Sequence, residues 1–138
     1  MATTQIQFIK PESILKQIGF LPGMQVADLG CGSGYFALPA ARLAGARGRV
    51  FAVDVQKGVL EQVKSEARLH NLNNLETVWS DIEVAGATKI PPASLDMVFL
   101  VNTLFQVEKQ DAVLAEAKRL LKPGGALLVV DWLPGDPV

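Results

Sequence analysis

Three glycines at alternate positions follow an acidic residue in the stretch Val26-Ala27-Asp28-Leu29-Gly30-Cys31-Gly32-Ser33-Gly34. An apolar run with strand character ends at the acid, and a segment with helical character opens beyond the last glycine. Glycine lets the backbone turn sharply and approach a ligand that any Cβ would push away. A loop of this kind also presents the amide groups of a helix N-terminus to that ligand. These residue types in this order suit the handling of a nucleotide or nucleoside. Further polar residues with chemical reach follow at Asp54, Ser80-Asp81, Asn102 and Asp131.

Spacing narrows the ligand. A dinucleotide fingerprint needs a third glycine for close helix–strand packing, and Tyr35 stands there instead. A phosphate-cradling loop needs Gly-Lys-Ser/Thr, which does not follow. Asp54 lies twenty residues beyond Gly34, at the end of the next apolar run. A carboxylate in that place can accept hydrogen bonds from both ribose hydroxyls, which points to an adenosine-like ligand with a free 2′-OH. A nucleoside without phosphates also suits a loop whose nearest charge is Asp28.

The elements that must position these groups can be read from periodicity. Pro11 opens a short helix over 11–18. Apolar runs at 25–29, 49–53, 75–79, 95–101 and 126–130 read as strands. Helices are predicted over 35–44, 57–70 and 108–121, the second from Val59, Leu60, Val63 and Ala67 at helical spacing. Pro39 is tolerable only in a first turn, so the first of the three starts after Gly34. Pro123-Gly124-Gly125 stops the last one. Residues 82–94, with Pro91-Pro92, are expected to be mostly irregular. Strands alternating with helices imply an α/β fold with a parallel sheet between helical layers. Asp28, Asp54, Asp81, Asn102 and Asp131 then all fall at carboxyl ends of strands, the edge where open α/β sheets bind ligands.

Taken together, these motifs resemble the class I S-adenosylmethionine-dependent methyltransferases, and among them the ubiquinone/menaquinone biosynthesis type. Residues 26–34 resemble the family's first motif and Val53-Asp54 its ribose-binding acid. Ser80-Asp81-Ile82 resembles the adenine-contacting motif, Leu95-Asp96-Met97-Val98 with Asn102 the fourth-strand motif, and Leu121-Lys122-Pro123-Gly124-Gly125 the turn before the fifth strand. The resemblance runs over about residues 11–133. It implies a Rossmann-like three-layer sandwich with strand order 3-2-1-4-5, lacking the last two strands usual in the family. The implied cofactor is S-adenosylmethionine and the implied product S-adenosylhomocysteine. The Gly30, Gly32 and Gly34 backbone would cradle the methionine part and ribose, with Asp28 near the methionine amino group. Asp54 would hold the ribose diol, Val55 would pack on the adenine, Asp81 would bond its amine and Ile82 would cover the ring. Asn102, or its carbonyl, would lie beside the sulfonium.

Composition bounds the rest. The 138 residues suffice for one domain, expected over 1–138 with residues 1–10 as a flexible lead-in. Hydrophobic residues make up 49% and charged residues 20%, which excludes a disordered tail. Thirteen basic and fourteen acidic residues leave a net charge of −1, so no global basic field draws in nucleic acid. A small-molecule acceptor is therefore expected, with RNA methylation at an open minimal site, or a cofactor-binding remnant with little turnover, as the alternatives. With a single cysteine, Cys31, and a single histidine, His70, neither a disulfide nor a metal site is expected. The absence of a visible signal peptide or long apolar run points to the cytoplasm. Asp131 is a candidate base and Trp132 a candidate acceptor contact, but neither is assigned, and no catalytic residue is. The chain ends at Val138, before the family's closing helix and antiparallel strand pair. That would leave residues 126–130 on an open edge, without lysine or proline, for a second copy to cover.

Overall fold

The computed structural model describes residues 10–131. The lead-in before Lys10, Trp132 and the chain end lie outside those residues. The elements are α1 (Pro11–Gln17), β1 (Gln25–Leu29), α2 (Ala37–Ala44), β2 (Arg49–Asp54), α3 (Lys57–Leu69), β3 (Leu75–Trp79), β4 (Leu95–Val101), α4 (Gln110–Leu120) and β5 (Leu121–Val130). A single 3₁₀ turn, Leu104–Gln106, lies between β4 and α4. The five strands form one parallel sheet in the order β3-β2-β1-β4-β5, as the family resemblance implied.

Strand alternation sends successive side chains to opposite faces and so builds two cores. Val26, Val50, Met97 and Phe99 pack on one side with Leu15, Phe36 and the buried alanines of α2. Their neighbours Ala27, Phe51, Val98 and Leu100 pack on the other with Val113, Ala117 and Leu120 of α4. The central strand β1 is paired on both sides, Val26 with Val50 and with Met97. Strands buried on both faces need near-continuous apolar runs, and β1, β2 and β4 have them. The start of α2 at Ala37 places Pro39 in the first turn. Asn74 Nδ2 donates to Ala41 O and Gly45 O, both at 2.8 Å, satisfying carbonyls at the end of α2.

Three boundaries differ from expectation by two residues or more, the first being α2, which opens at Ala37 rather than at residue 35. Helix α4 opens at Gln110 rather than at residue 108, and β5 begins at Leu121 rather than at residue 126. Leu121 pairs with Leu95, and a register shift separates that pair from Met97–Ala126. Lys122, Pro123 and the two glycines thus run beside β4 as strand instead of forming only a turn. Asp96 helps fix this end of the sheet: it accepts the Gln25 N–H at 2.8 Å and the Lys122 ammonium at 3.1 Å. The edge strand therefore does carry a lysine and a proline, though not in its second half, where Leu127 and Val129 are exposed.

Candidate functional site

The glycine loop leaves β1 at its carboxyl end, and β2 holds it there. The N–H groups of Gly30 and Cys31 both donate to Val53 O, at 2.8 and 2.9 Å. Gly30, Gly32 and Gly34 all have left-handed backbones, with φ of 80°, 53° and 85°. Their surroundings give them different tasks. A Cβ on Gly30 would lie 2.9 Å from Thr103 Oγ1, so that glycine permits close packing of the β4–α4 loop. A Cβ on Gly34 would lie 3.1 Å from Leu38 and 3.3 Å from Val63, deep in the α2–α3 packing. A Cβ on Gly32 would meet nothing within 4 Å. Gly32 borders an open cleft of about 500 Å³ that spans the carboxyl ends of the strands.

Of the nine sequence-predicted positions, eight line this cleft: Asp28, Gly30, Gly32, Asp54, Val55, Asp81, Ile82 and Asn102. Gly34 does not; it borders a separate surface depression between α2 and α3. Asp54, at the end of β2, is oriented by the backbone on both sides. Its Oδ2 accepts the Gly32 N–H and its Oδ1 the Gln56 N–H, each at 3.0 Å. Each carboxylate oxygen keeps lone-pair capacity for a ligand hydroxyl. Val55 is exposed, and its carbonyl accepts the Trp79 indole N–H at 2.8 Å. Asp81 Oδ1 accepts the Glu83 N–H at 2.9 Å, while Ile82 is buried against the α4 side of the sheet.

At the other end of the cleft, Asn102 takes a left-handed backbone with φ of 54°. Its N–H donates to Val130 O at 2.6 Å, and its carbonyl accepts Gln106 Nε2 at 2.7 Å. Thr103 Oγ1 lies 3.0 Å from Leu29 O and 3.1 Å from Val101 O, bonding this loop to the end of β1 or of β4. Sequence reasoning did not single out Thr103, Gln106 or Glu83. Thr103 beside Asn102 could have been noticed, whereas nothing in the sequence marks the other two. Asp131 is not among the lining residues; its Oδ2 accepts the Phe105 N–H at 3.2 Å and so holds the 3₁₀ turn. His70 lies away from the cleft, 3.5 Å from Glu66. Among the described residues no group of three His, Cys, Asp or Glu is placed to hold a metal ion.

Burial sets the electrostatics. Asp28 is 2% exposed, and burial, then the neighbouring Asp54 charge, push its carboxyl up to about 7. Cys31 is raised far above the ordinary thiol range by burial and then by Asp28 and Asp54, which disfavours its thiolate. Two buried cleft atoms, Asp28 Oδ1 and Ser80 Oγ, have no hydrogen-bond partner among the described residues. Such atoms are rare unless a ligand or water completes them. An orphaned carboxylate oxygen, an open glycine and a doubly braced acid fit a ligand that combines a cation with a ribose.

The strand order and the glycine loop between β1 and its helix define a Rossmann-like α/β domain with its cleft at the β1/β4 switch point. Residues 21–133 match the family described as a methyltransferase domain. The chain belongs to that family, in its class I S-adenosylmethionine-dependent group. It is 33% identical over 112 residues to a ubiquinone/menaquinone biosynthesis C-methyltransferase UbiE of Shewanella frigidimarina, covering 80% of this chain and 43% of the relative. The chain thus spans under half the length of the curated relatives it matches. Among solved structures it is similar to a SAM-dependent methyltransferase from Aquifex aeolicus, with TM-score 0.86 and 27% identity, over 98% of this chain and 70% of that one. It is also similar to an arsenic(III) S-adenosylmethionine methyltransferase from Chlamydomonas reinhardtii, with TM-score 0.71 and 32% identity, over 78% of this chain and 38% of that one.

Proposed function

We propose that this domain binds S-adenosylmethionine in the strand-end cleft and transfers its methyl group to a small-molecule acceptor. The observation that carries the reading is Asp54, braced by the Gly32 and Gln56 amides with both oxygens still able to accept from a ribose diol. Gly32 leaves room for the ligand against the loop, and Asp28 offers a buried carboxylate to the methionine ammonium. Val55 and Ile82 supply apolar contact to the adenine, and Asp81 accepts from its amine. Asn102 and Gln106 face the methyl-donating end.

When bound, the cofactor supplies an electrophilic methyl, and the sulfur keeps the bonding electrons as S-adenosylhomocysteine forms. The chain's own part is to align donor and acceptor, which in well-oriented systems is worth roughly 7–11 kcal/mol. Asp131 is engaged with the Phe105 amide, and the described residues of the cleft include no histidine. The reading assigns the chain's contribution to positioning and leaves the catalytic residues unassigned. A small acceptor is supported by the near-neutral charge, by the absence of a basic, aromatic-rich stripe, and by the name of the quinone-biosynthesis relative. Calorimetry with S-adenosylhomocysteine tests the binding half, with saturable binding expected and no heat refuting it. Release of S-adenosylhomocysteine that depends on an added small acceptor tests the transfer half.

A further inference from the structure

The β3–β4 connection, residues 80–94, has no regular secondary structure, yet it carries Asp81, Ile82 and Glu83 into the cleft wall. Such a segment opens cheaply unless it is tied down. Its ends are held by backbone bonds, Ser80 N–H to Asp54 O and the Ala93 and Ser94 N–H groups to Arg119 O and Leu120 O, and between them two glutamates tie it. The distal tie is buried: Glu116 of α4 accepts the Gly86 N–H at 3.0 Å and the Thr88 hydroxyl at 2.7 Å, and pairs with Arg119 at 2.7 Å. The proximal tie is at the cleft itself. Glu83 Oε1 accepts the N–H groups of Glu108 at 3.1 Å and Lys109 at 2.8 Å, the two residues before α4.

We propose that Glu83 is a positioning residue that clamps the two loops walling the cleft to each other, so that its adenine end and its acceptor end form one surface. The proposal rests on the cofactor reading above for what those ends bind. The connectivity is continuous on both sides of the clamp. Glu83 donates its own N–H to Asp81 Oδ1, fixing the carboxylate assigned to the adenine amine. Beyond the clamp, Gln110 Nε2 donates to Leu104 O at 2.8 Å and Gln106 Nε2 to Asn102 O at 2.7 Å. The residues between Asn102 and α4 are thus hydrogen-bonded to one another and, through Gln110, to the first turn of α4. A carboxylate suits the task because one oxygen can accept two amide protons. It also lies at the positive end of α4, which has no side-chain cap of its own at Lys109.

The test compares Glu83→Met, which keeps the aliphatic stem without an acceptor, with Glu83→Gln, which keeps a neutral one. In the ligand-free protein, amide exchange at Glu108 and Lys109 should quicken by about tenfold or more in Glu83→Met. Glu83→Gln should quicken it about threefold, since a neutral acceptor is weaker. Exchange in the sheet should stay at the wild-type rate. The dissociation constant for S-adenosylhomocysteine should rise about tenfold in Glu83→Met and largely recover in Glu83→Gln, a change in ligand affinity that a role confined to folding stability would not give. Wild-type protection at both amides in Glu83→Met, or unchanged affinity despite their exposure, overturns the clamp. If Glu83→Met does not fold, ligand-free exchange in Glu83→Gln decides: local quickening supports the clamp and wild-type rates refute it. If the wild-type protein binds no S-adenosylhomocysteine while the two amides respond, the cofactor reading falls and the clamp stands.

Discussion

If Asp28 meets the ligand ammonium as proposed, ligand binding and stability should depend on pH with opposite signs. The folded-state Asp28 carboxyl is raised to about 7, by burial first and by Asp54 second, from an ordinary 3.8. The folded protein therefore binds more protons than the unfolded chain between about pH 4 and 7. Through that window this residue's contribution to stability falls as pH rises, and it levels off above 7. A shift of that size corresponds to a cost on the order of 4 kcal/mol once the carboxylate is ionised. If a ligand ammonium binds the ionised form, affinity runs the other way. With the carboxyl at about 7, the ionised fraction falls from nearly all at pH 8 to roughly one in a hundred at pH 5. Calorimetry with S-adenosylhomocysteine should then show binding roughly ninetyfold weaker at pH 5 than at pH 8. Asp28→Asn should flatten that dependence, weaken binding at pH 8 by about tenfold or more, and raise stability to urea at pH 8. A wild-type affinity constant within twofold across this range, or an undiminished slope in Asp28→Asn, would refute the reasoning. An affinity that improves on acidification would show instead that Asp28 donates a hydrogen bond as the neutral acid.

Two further predictions separate architecture from site. Gly30→Ala and Gly32→Ala both place a side chain in a left-handed backbone, at about 1 kcal/mol each. Only the first also drives a methyl to within 2.9 Å of the Thr103 hydroxyl, so urea unfolding should show it the more destabilised, by a total of about 2 kcal/mol or more. Gly32→Ala should keep most of the stability and lose cofactor affinity, because its methyl enters the cleft. At the distal tie, burial pushes the Glu116 carboxyl up, but Arg119, Thr88 and the Gly86 amide outweigh it and hold it at about 2. Its contribution is present above about pH 4.5 and lost as pH falls toward 2, on the order of 3 kcal/mol. Glu116→Gln should lower stability at pH 7 by a comparable amount and flatten the acid limb of a plot of melting temperature against pH.

What could be read in the sequence was whatever residue type and chain position settle between them. Asp54 reached the cleft because it ends β2, whose interior is buried, and Asp81 because it follows the carboxyl end of the edge strand β3 on the same side of the sheet. The glycine loop was legible for a similar reason, although only packing shows that Gly30 and Gly34 serve neighbouring side chains while Gly32 borders open space. The start of β5 was not legible. Lys122-Pro123-Gly124-Gly125 has the local chemistry of a stop, and pairing of Leu121 with Leu95 overrides it through a contact far away in the chain. Glu83 was illegible in a stricter sense, since its partners are backbone amides, which every residue but proline carries.

Asp28 shows how the two kinds of information combine. Its type and place at a strand end are plain in the sequence, but its ionisation is a property of the sheet. Strand β1 is paired on both sides, so Asp28 lies between Ala52 of β2 and Phe99 of β4, with almost no exposure. An acid on an edge strand would stay solvated and ionised near its ordinary value, and a ligand cation would gain little by approaching it. In the central strand, the desolvation that makes the carboxylate costly would also leave it unscreened toward an arriving cation. The strand order therefore does more than site the cleft: by making β1 the innermost strand, it raises the carboxyl of a common residue, which on the proposed reading would ionise as a ligand cation binds.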